Sequence, residues 1–236
     1  MWARSKSDDA TASRCTVVWA ARIAAALVLA TVACLAAAAV AYPGGSWADA
    51  RATHFALAEN YWCDLMRVRA VNGAANDTAR AFARCAFLSL GAGLAAFWPA
   101  VVTLVRGQRT RHACRVAGVA SSLGVMALAV VPFDRAPVLH AIVTLTAGGF
   151  GSVALAAAVV GSWRAGRLRG APRVGATLMV AAVLANIVVY VDCSFVRPGP
   201  SAALPVVQKL ATLLLVAWLL ATARAIIASA AVPTRA

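Results

Sequence analysis

The chain has 236 residues, of which 62% are hydrophobic and 13% charged, and its formal net charge is +14. An ordinary soluble domain is about half apolar and a quarter charged, so this composition excludes a typical soluble globule. The arginines flank apolar runs and form no separate basic domain with interleaved aromatic residues, which argues against nucleic-acid binding.

Six apolar runs divide the chain, and each run predicts a helix. Runs of about 20 apolar residues match a hydrocarbon core roughly 30 Å thick, and backbone groups in lipid must be paired within the segment, which favours helices. We therefore predict an all-α fold with a single transmembrane domain over residues 1–236. The six helices are expected at residues 17–41, 81–105, 116–131, 138–160, 174–191 and 204–227.

The positions of the basic residues predict the orientation of these helices. Connections rich in Lys and Arg face the cytoplasm, and two short connections hold four arginines each: Arg106, Arg109, Arg111 and Arg115, and Arg164, Arg167, Arg169 and Arg173. The connections 132–137 and 192–205 hold one arginine each. Both termini are therefore predicted to be cytoplasmic.

The first apolar run has a second interpretation. Basic residues precede it, and Ala39-Val40-Ala41 is similar to a signal-peptidase site. Cleavage there would leave five helices with an unchanged orientation.

Residues 42–80 form the only long connection, which the orientation places outside. Between residues 47 and 71, apolar and charged residues alternate at helical spacing, which predicts an interfacial helix. Asn60 and Asp64 are four residues apart and would share one face of that helix. Asn72-Gly73 predicts a turn after it.

Ionisable groups concentrate on the predicted outer side, where they indicate a polar pocket. Six of the eight acidic residues fall there: Asp49, Glu59, Asp64, Asp77, Asp134 and Asp192. Such groups are costly near lipid and tend to mark function. The candidate ligand-binding residues are Asn60, Trp62, Asp64, Asp134, His140, Asp192 and Lys209.

Two of these candidates suggest specific contacts. Asp134 and His140 flank a turn made by two prolines, where they can form a proton relay, half of a metal site, a polar clamp or a simple helix cap. Lys209 lies about one turn into the last helix, and we expect it to pair with one of the outer carboxylates. The alternative is that its ammonium group reaches the headgroup region.

The six cysteines show neither a CxxC pair nor zinc-ligand spacing, and we predict no cofactor. Cys63 and Cys193 both fall in outer segments, where they can form a disulfide or remain free.

The segments 60–65 (Asn-Tyr-Trp-Cys-Asp-Leu) and 71–73 (Val-Asn-Gly), with Asp134 and His140 around the proline turn, resemble the bacterial DUF998-type membrane proteins. That family is similar in layout to Frag1/DRAM/Sfk1-like six-helix proteins. The resemblance implies a six-helix bundle in the bacterial plasma membrane, and it implies no reaction because the family's function is undefined.

The leading hypothesis is a membrane protein without enzymatic activity that binds a lipid headgroup or small solute, with membrane lipids as its partners. Two alternatives are a transporter component and an intramembrane, metal-assisted lipid hydrolase. The hydrolase would use His54, Asp64, Asp134 and His140 as metal ligands. Ceramidase and adiponectin-receptor-like hydrolases have seven helices and three zinc-binding histidines, a pattern that this sequence does not follow.

Overall fold

The computed structural model describes residues 6–166 and 170–231, and within them the fold is all-α. The six predicted helices are present as α1 (Lys6–Ala41), α2 (Asp77–Val101), α3 (Gln108–Leu128), α4 (Pro137–Arg164), α5 (Ala171–Val191) and α6 (Ala203–Ala231). Three short helical segments are Trp62–Met66 and Val102–Leu104, both 3₁₀, and Asp192–Val196, a π-helix. Each α-helix begins before its apolar run, because the residues that precede the run, several of them polar or basic, are also helical.

Five of the helices in the described residues are long and apolar enough to cross a membrane, as expected for a membrane protein. The exception is α3, whose first turns contain Arg109, Arg111 and Arg115. Its apolar part, residues 116–128, spans about 20 Å at 1.5 Å per residue, which is shorter than a hydrocarbon core of roughly 30 Å.

One large hydrophobic cluster holds the arginine-rich end of the bundle together. It joins the middle of α1 and the first half of α3 and α5 to the second half of α2, α4 and α6, so successive helices run in opposite directions. We call this region the packed half. Its buried residues include Val28, Phe97, Cys114, Ala158, Met179 and Trp218.

The centre of the packed half is an aromatic group. Phe97 lies edge-on to both Trp98 and Trp218, with ring centroids 5.5 Å and 5.2 Å away. A Cβ atom added at Gly118 would overlap the Trp98 indole, so α2 and α3 approach this closely only because Gly118 has no side chain.

Residues 42–76, which we call the first loop, differ from the prediction. No interfacial helix forms over residues 47–71, where the one regular segment is the five-residue Trp62–Met66. The chain instead turns at Gly44 and Gly45, whose φ angles of 124° and 83° interrupt any helix. The Asn60 side chain binds backbone groups that a helix would otherwise use. The predicted turn at Asn72-Gly73 is present.

Candidate functional site

A cavity of about 930 Å³ lies between the first loop and helices α2 to α6. This volume is at the upper end of the usual range for small-molecule sites, roughly 300–1,000 Å³. Its walls are mostly apolar, with Phe87, Leu94, Val125 and Leu145 among the lining residues.

The cavity exists because α4 and α5 separate outside the packed half. In α4, Ala154, Leu155, Ala158 and Val159 are buried in the common core. The buried residues of α5 are Ala176 and Met179, both in its first half. The remaining halves of the two helices line the cavity on different sides.

Three of the seven predicted pocket residues line this cavity: Trp62, Asp64 and His140. The other four lie outside its wall, namely Asn60, Asp134, Asp192 and Lys209. The predicted cluster is therefore divided among several local structures, and the cavity is less polar than expected.

Asn60 and Asp64 form a buried pair, although no helix brings them together. The Asn60 amide donates hydrogen bonds to the Gly45 carbonyl at 2.7 Å and to Asp64 Oδ2 at 3.2 Å, and its oxygen accepts from the Ala56 N–H at 2.9 Å. Asp64 Oδ2 also accepts from the Tyr61 N–H at 2.8 Å. Burial raises the pKa of the Asp64 carboxyl above its ordinary value, while these hydrogen bonds oppose the change.

Lys209 does not form the predicted ion pair, because no carboxylate in the described residues lies within 4.0 Å of its ammonium nitrogen. That nitrogen donates to the carbonyl oxygens of Asn60 at 2.5 Å and Pro205 at 3.2 Å. It also lies 4.8 Å from the Trp62 ring centroid and 5.4 Å from that of Phe55. Carbonyl dipoles and ring faces thus stabilise the charge in place of an acid.

Further hydrogen bonds attach the first loop to the last helix and to the segment before it. The Trp62 indole N–H donates to Thr212 Oγ1 at 3.1 Å. The Tyr61 hydroxyl accepts from the Ser201 N–H at 3.1 Å. Together with Lys209, these contacts hold the loop above the cavity.

Asp134 and His140 bind separate partners. Asp134 is exposed, and its Oδ2 accepts from the Val68 N–H at 2.9 Å. His140 is buried, with Nδ1 at 2.8 Å from the Val131 carbonyl oxygen. A carbonyl oxygen only accepts hydrogen bonds, so Nδ1 carries a proton and donates it, which leaves Nε2 as the acceptor whenever the imidazole is neutral. The Phe133 ring lies edge-on to His140 at 5.8 Å.

Asp192 lies at the surface beyond the end of α5. Its carboxylate forms a two-point contact with Arg197, with Nη2 to Oδ2 at 2.7 Å and Nε to Oδ1 at 3.0 Å. This local ion pair accounts for Asp192 without a ligand.

The proposed metal ligands His54, Asp64, Asp134 and His140 are not assembled. Within residues 6–166 and 170–231, no group of three or more His, Cys, Asp or Glu side chains has an arrangement that could hold a metal ion. His54 is exposed on the first loop, and Asp64 and Asp134 are bound to other groups.

Cys63 and Cys193 both line the cavity as free thiols. Burial raises the pKa of the Cys63 thiol to about 12, so it is protonated at neutral pH. Of the two alternatives for this pair, the structure has the reduced one.

Sequence reasoning did not select Arg67, which is the one arginine or lysine among the residues lining the cavity. Its Nη1 lies 3.9 Å from Asp64 Oδ1, and its Nε is buried without a hydrogen-bond partner in the described chain. The signal available was its position three residues after Asp64, in the most polar segment of the loop.

Comparison of the chain with protein families, with curated proteins and with solved structures gives no match.

Proposed function

We propose that this chain is an integral protein of the bacterial plasma membrane that holds a single-chain, lipid-like amphiphile in the cavity. The observation that carries the proposal is the distribution of charge around the cavity. Its walls are mostly apolar, and the two lining side chains with a formal charge, Asp64 and Arg67, both belong to the first loop. A ligand with an apolar chain and a polar headgroup matches this arrangement.

The basic connections support an orientation with six crossings and both termini in the cytoplasm. The arginine-rich connections adjoin the packed half, and the first loop is at the opposite end of the bundle. Under the positive-inside rule the loop then faces outward. In this arrangement the arginines at the start of α3 extend towards the cytoplasmic headgroups, which makes up for its short apolar part.

The gap between α4 and α5 supports a lipid-like ligand over a water-soluble one. Large apolar side chains are exposed along both helices beyond the packed half, including Ile142 and Phe150 on α4 and Leu184 and Val188 on α5. In a membrane these side chains contact acyl chains, so a ligand from the bilayer has an apolar route to the cavity.

Filling the cavity tests the proposal. Gly148 lines the cavity, and a Cβ atom added there meets no atom within 4 Å. The Gly148→Trp variant should fit without disturbing the bundle and should occupy ligand space. Native mass spectrometry of detergent-purified protein, titrated with oleoyl lysophosphatidylglycerol and oleoyl lysophosphatidylcholine, should show binding of both reduced by about tenfold or more.

The adjacent residue provides the matched control. Gly149 is also open to 4 Å but does not line the cavity. Gly149→Trp should therefore bind both lysolipids as the unmodified protein does. Equal binding by the two variants would contradict the proposed function.

A further inference from the structure

We infer that the cavity selects an amphiphile with an anionic oxyacid headgroup, such as a phosphate, bound by Arg67, while His140 accepts a hydrogen bond from a hydroxyl of that headgroup. This inference rests on the proposed function and adds the chemistry of the headgroup. A membrane lipid is the source to which we assign it, and a free phosphate compound is an outcome that the test distinguishes.

The guanidinium of Arg67 is the first element of this site. Its closest carboxylate contact, 3.9 Å to Asp64, is longer than a hydrogen bond, which is about 2.7–3.2 Å. The Arg67 guanidinium makes no hydrogen bond to any described residue, and its Nε is buried. A guanidinium presents five N–H donors in a fork that fits phosphate or carboxylate oxygens. Arg67 therefore has unused donors at the wall of an apolar cavity.

The local charge balance favours an anion. Asp64 directs Oδ2 towards Asn60 and the Tyr61 N–H. Burial raises the pKa of the Asp64 carboxyl and so favours its neutral, protonated form. The buried ammonium of Lys209 lies directly behind the Trp62 ring, which lines the cavity. Arg67 and Asp64 are the charged side chains of the cavity wall, and Lys209 adds a second positive charge outside it, behind Trp62.

His140 is the second element, and contacts of the first loop with the segment before α4 connect it to Arg67. The Val68 N–H, next in the chain to Arg67, donates to Asp134. Phe133, next to Asp134, packs against the His140 ring. Arg67, Phe133 and His140 all line the cavity. With Nδ1 committed to the Val131 carbonyl, Nε2 has no partner in the described residues and can accept a hydrogen bond from a headgroup hydroxyl.

The test compares two lysolipids that differ in headgroup charge. Oleoyl lysophosphatidylglycerol is anionic and has free hydroxyl groups, whereas oleoyl lysophosphatidylcholine is zwitterionic. The unmodified protein should bind the anionic lipid about tenfold more tightly, because charge-assisted hydrogen bonds contribute roughly that much. Both lysolipids carry a phosphate that Arg67 can contact, so Arg67→Gln should weaken binding of both. It should weaken binding of the anionic lipid more, which brings the ratio of dissociation constants close to one.

Control variants separate a specific site from general attraction to a basic protein. Arg69→Gln makes the same charge change on an exposed arginine outside the cavity and should keep the tenfold preference. Arg67→Lys keeps the charge but loses the fork, and should retain part of the preference even if Arg67→Gln fails to fold. His140→Asn keeps a donor for the Val131 carbonyl and removes the Nε2 acceptor, so the preference should fall a few-fold.

The outcomes distinguish this inference from the proposed function. Equal binding of the two lysolipids, with both still weakened by Gly148→Trp, would overturn the headgroup assignment and leave the cavity function intact. No effect of Gly148→Trp on either lipid would overturn the proposed function. Displacement of the anionic lysolipid by equimolar glycerol 3-phosphate would assign the site to a small soluble anion and overturn the lipid source.

Discussion

The packed half and the half beneath the first loop are built from the same six helices but differ in how closely those helices pack. In the packed half, Gly118 lets the backbone approach Trp98, and the aromatic group around Phe97 fills the space between helices. In the other half, Gly148 faces an open cavity, and polar contacts from the first loop replace helix packing. One half is therefore closely packed, while the other encloses the cavity.

The largest expected effect comes from adding the same side chain to both halves. Gly118→Leu must displace the Trp98 indole, and we expect a loss of about 3 kcal/mol or more, at the upper end of the cost of overpacking. Gly148→Leu has open space and should leave the free energy of unfolding unchanged or slightly improved. Reversible unfolding in mixed detergent micelles measures both, and equal losses would remove the distinction between the halves.

A second prediction concerns the polar contacts that hold the first loop. Asn60→Ala leaves the Gly45 carbonyl and the Ala56 N–H without their buried partner, which should cost roughly 1–3 kcal/mol. The loop should open while the packed half stays folded. Trypsin cleavage after the exposed Arg51 or Arg69 should therefore become faster.

The control for this prediction is Asn72→Ala. Asn72 also makes two side-chain hydrogen bonds, to the Pro43 carbonyl and from the Ala74 N–H, but it is exposed, so water replaces them. Unchanged cleavage in Asn60→Ala would show that the loop does not depend on that side chain.

A third prediction follows from the raised pKa of Asp64. The Asp64 carboxyl binds its proton more tightly in the folded loop than in the unfolded chain. Its ionisation therefore lowers the stability of the loop. Loop stability should be highest below the ordinary pKa of about 3.9 and should decline as pH rises through the folded pKa. Asp64→Asn should make loop stability less dependent on pH. Amide hydrogen exchange in the first loop, followed as a function of pH, measures this stability.

The exposed Asp77, paired with Arg80, provides a comparison for that experiment. Asp77→Asn should leave the pH dependence of exchange in the first loop as it is. A pH profile that is identical in the unmodified protein and in Asp64→Asn would contradict the assignment to Asp64.

The smallest effect is expected at the indole that joins the first loop to α6. Trp62→Phe removes the hydrogen bond to Thr212 and keeps the ring over Lys209, which should cost about 0.5–1.5 kcal/mol. Tryptic cleavage of the loop should rise modestly. Trp47→Phe, in the same loop, should have no effect on cleavage.

The sequence predicts the helices well because a segment that crosses the hydrocarbon core must be long, apolar and internally hydrogen-bonded, whatever it packs against. It predicts the first loop poorly. Gly44 and Gly45 adopt their conformations because the loop folds back on itself, and the helical spacing of residues 47–71 shows none of this.

The site was only partly predictable for a related reason. Trp62, Asp64 and His140 were identified because polar groups near lipid are unusual, and they do line the cavity. The partner of Lys209 is a backbone carbonyl, which every residue possesses, so the sequence favoured an acid instead. Arg67 becomes notable only through the hydrogen bonds that its guanidinium does not make, and these are visible only in three dimensions.

The contacts that hold the first loop over the cavity have a consequence for the order of assembly. Tyr61 and Ser201 are 140 residues apart in the chain, Asn60 and Lys209 are 149 apart, and Trp62 and Thr212 are 150 apart. Synthesis proceeds from the N-terminus, so the first loop emerges long before its anchors on α6. The first loop is fixed over the cavity only when the final helix joins the bundle, and a chain interrupted after α5 would also lack the α6 residues that line the cavity.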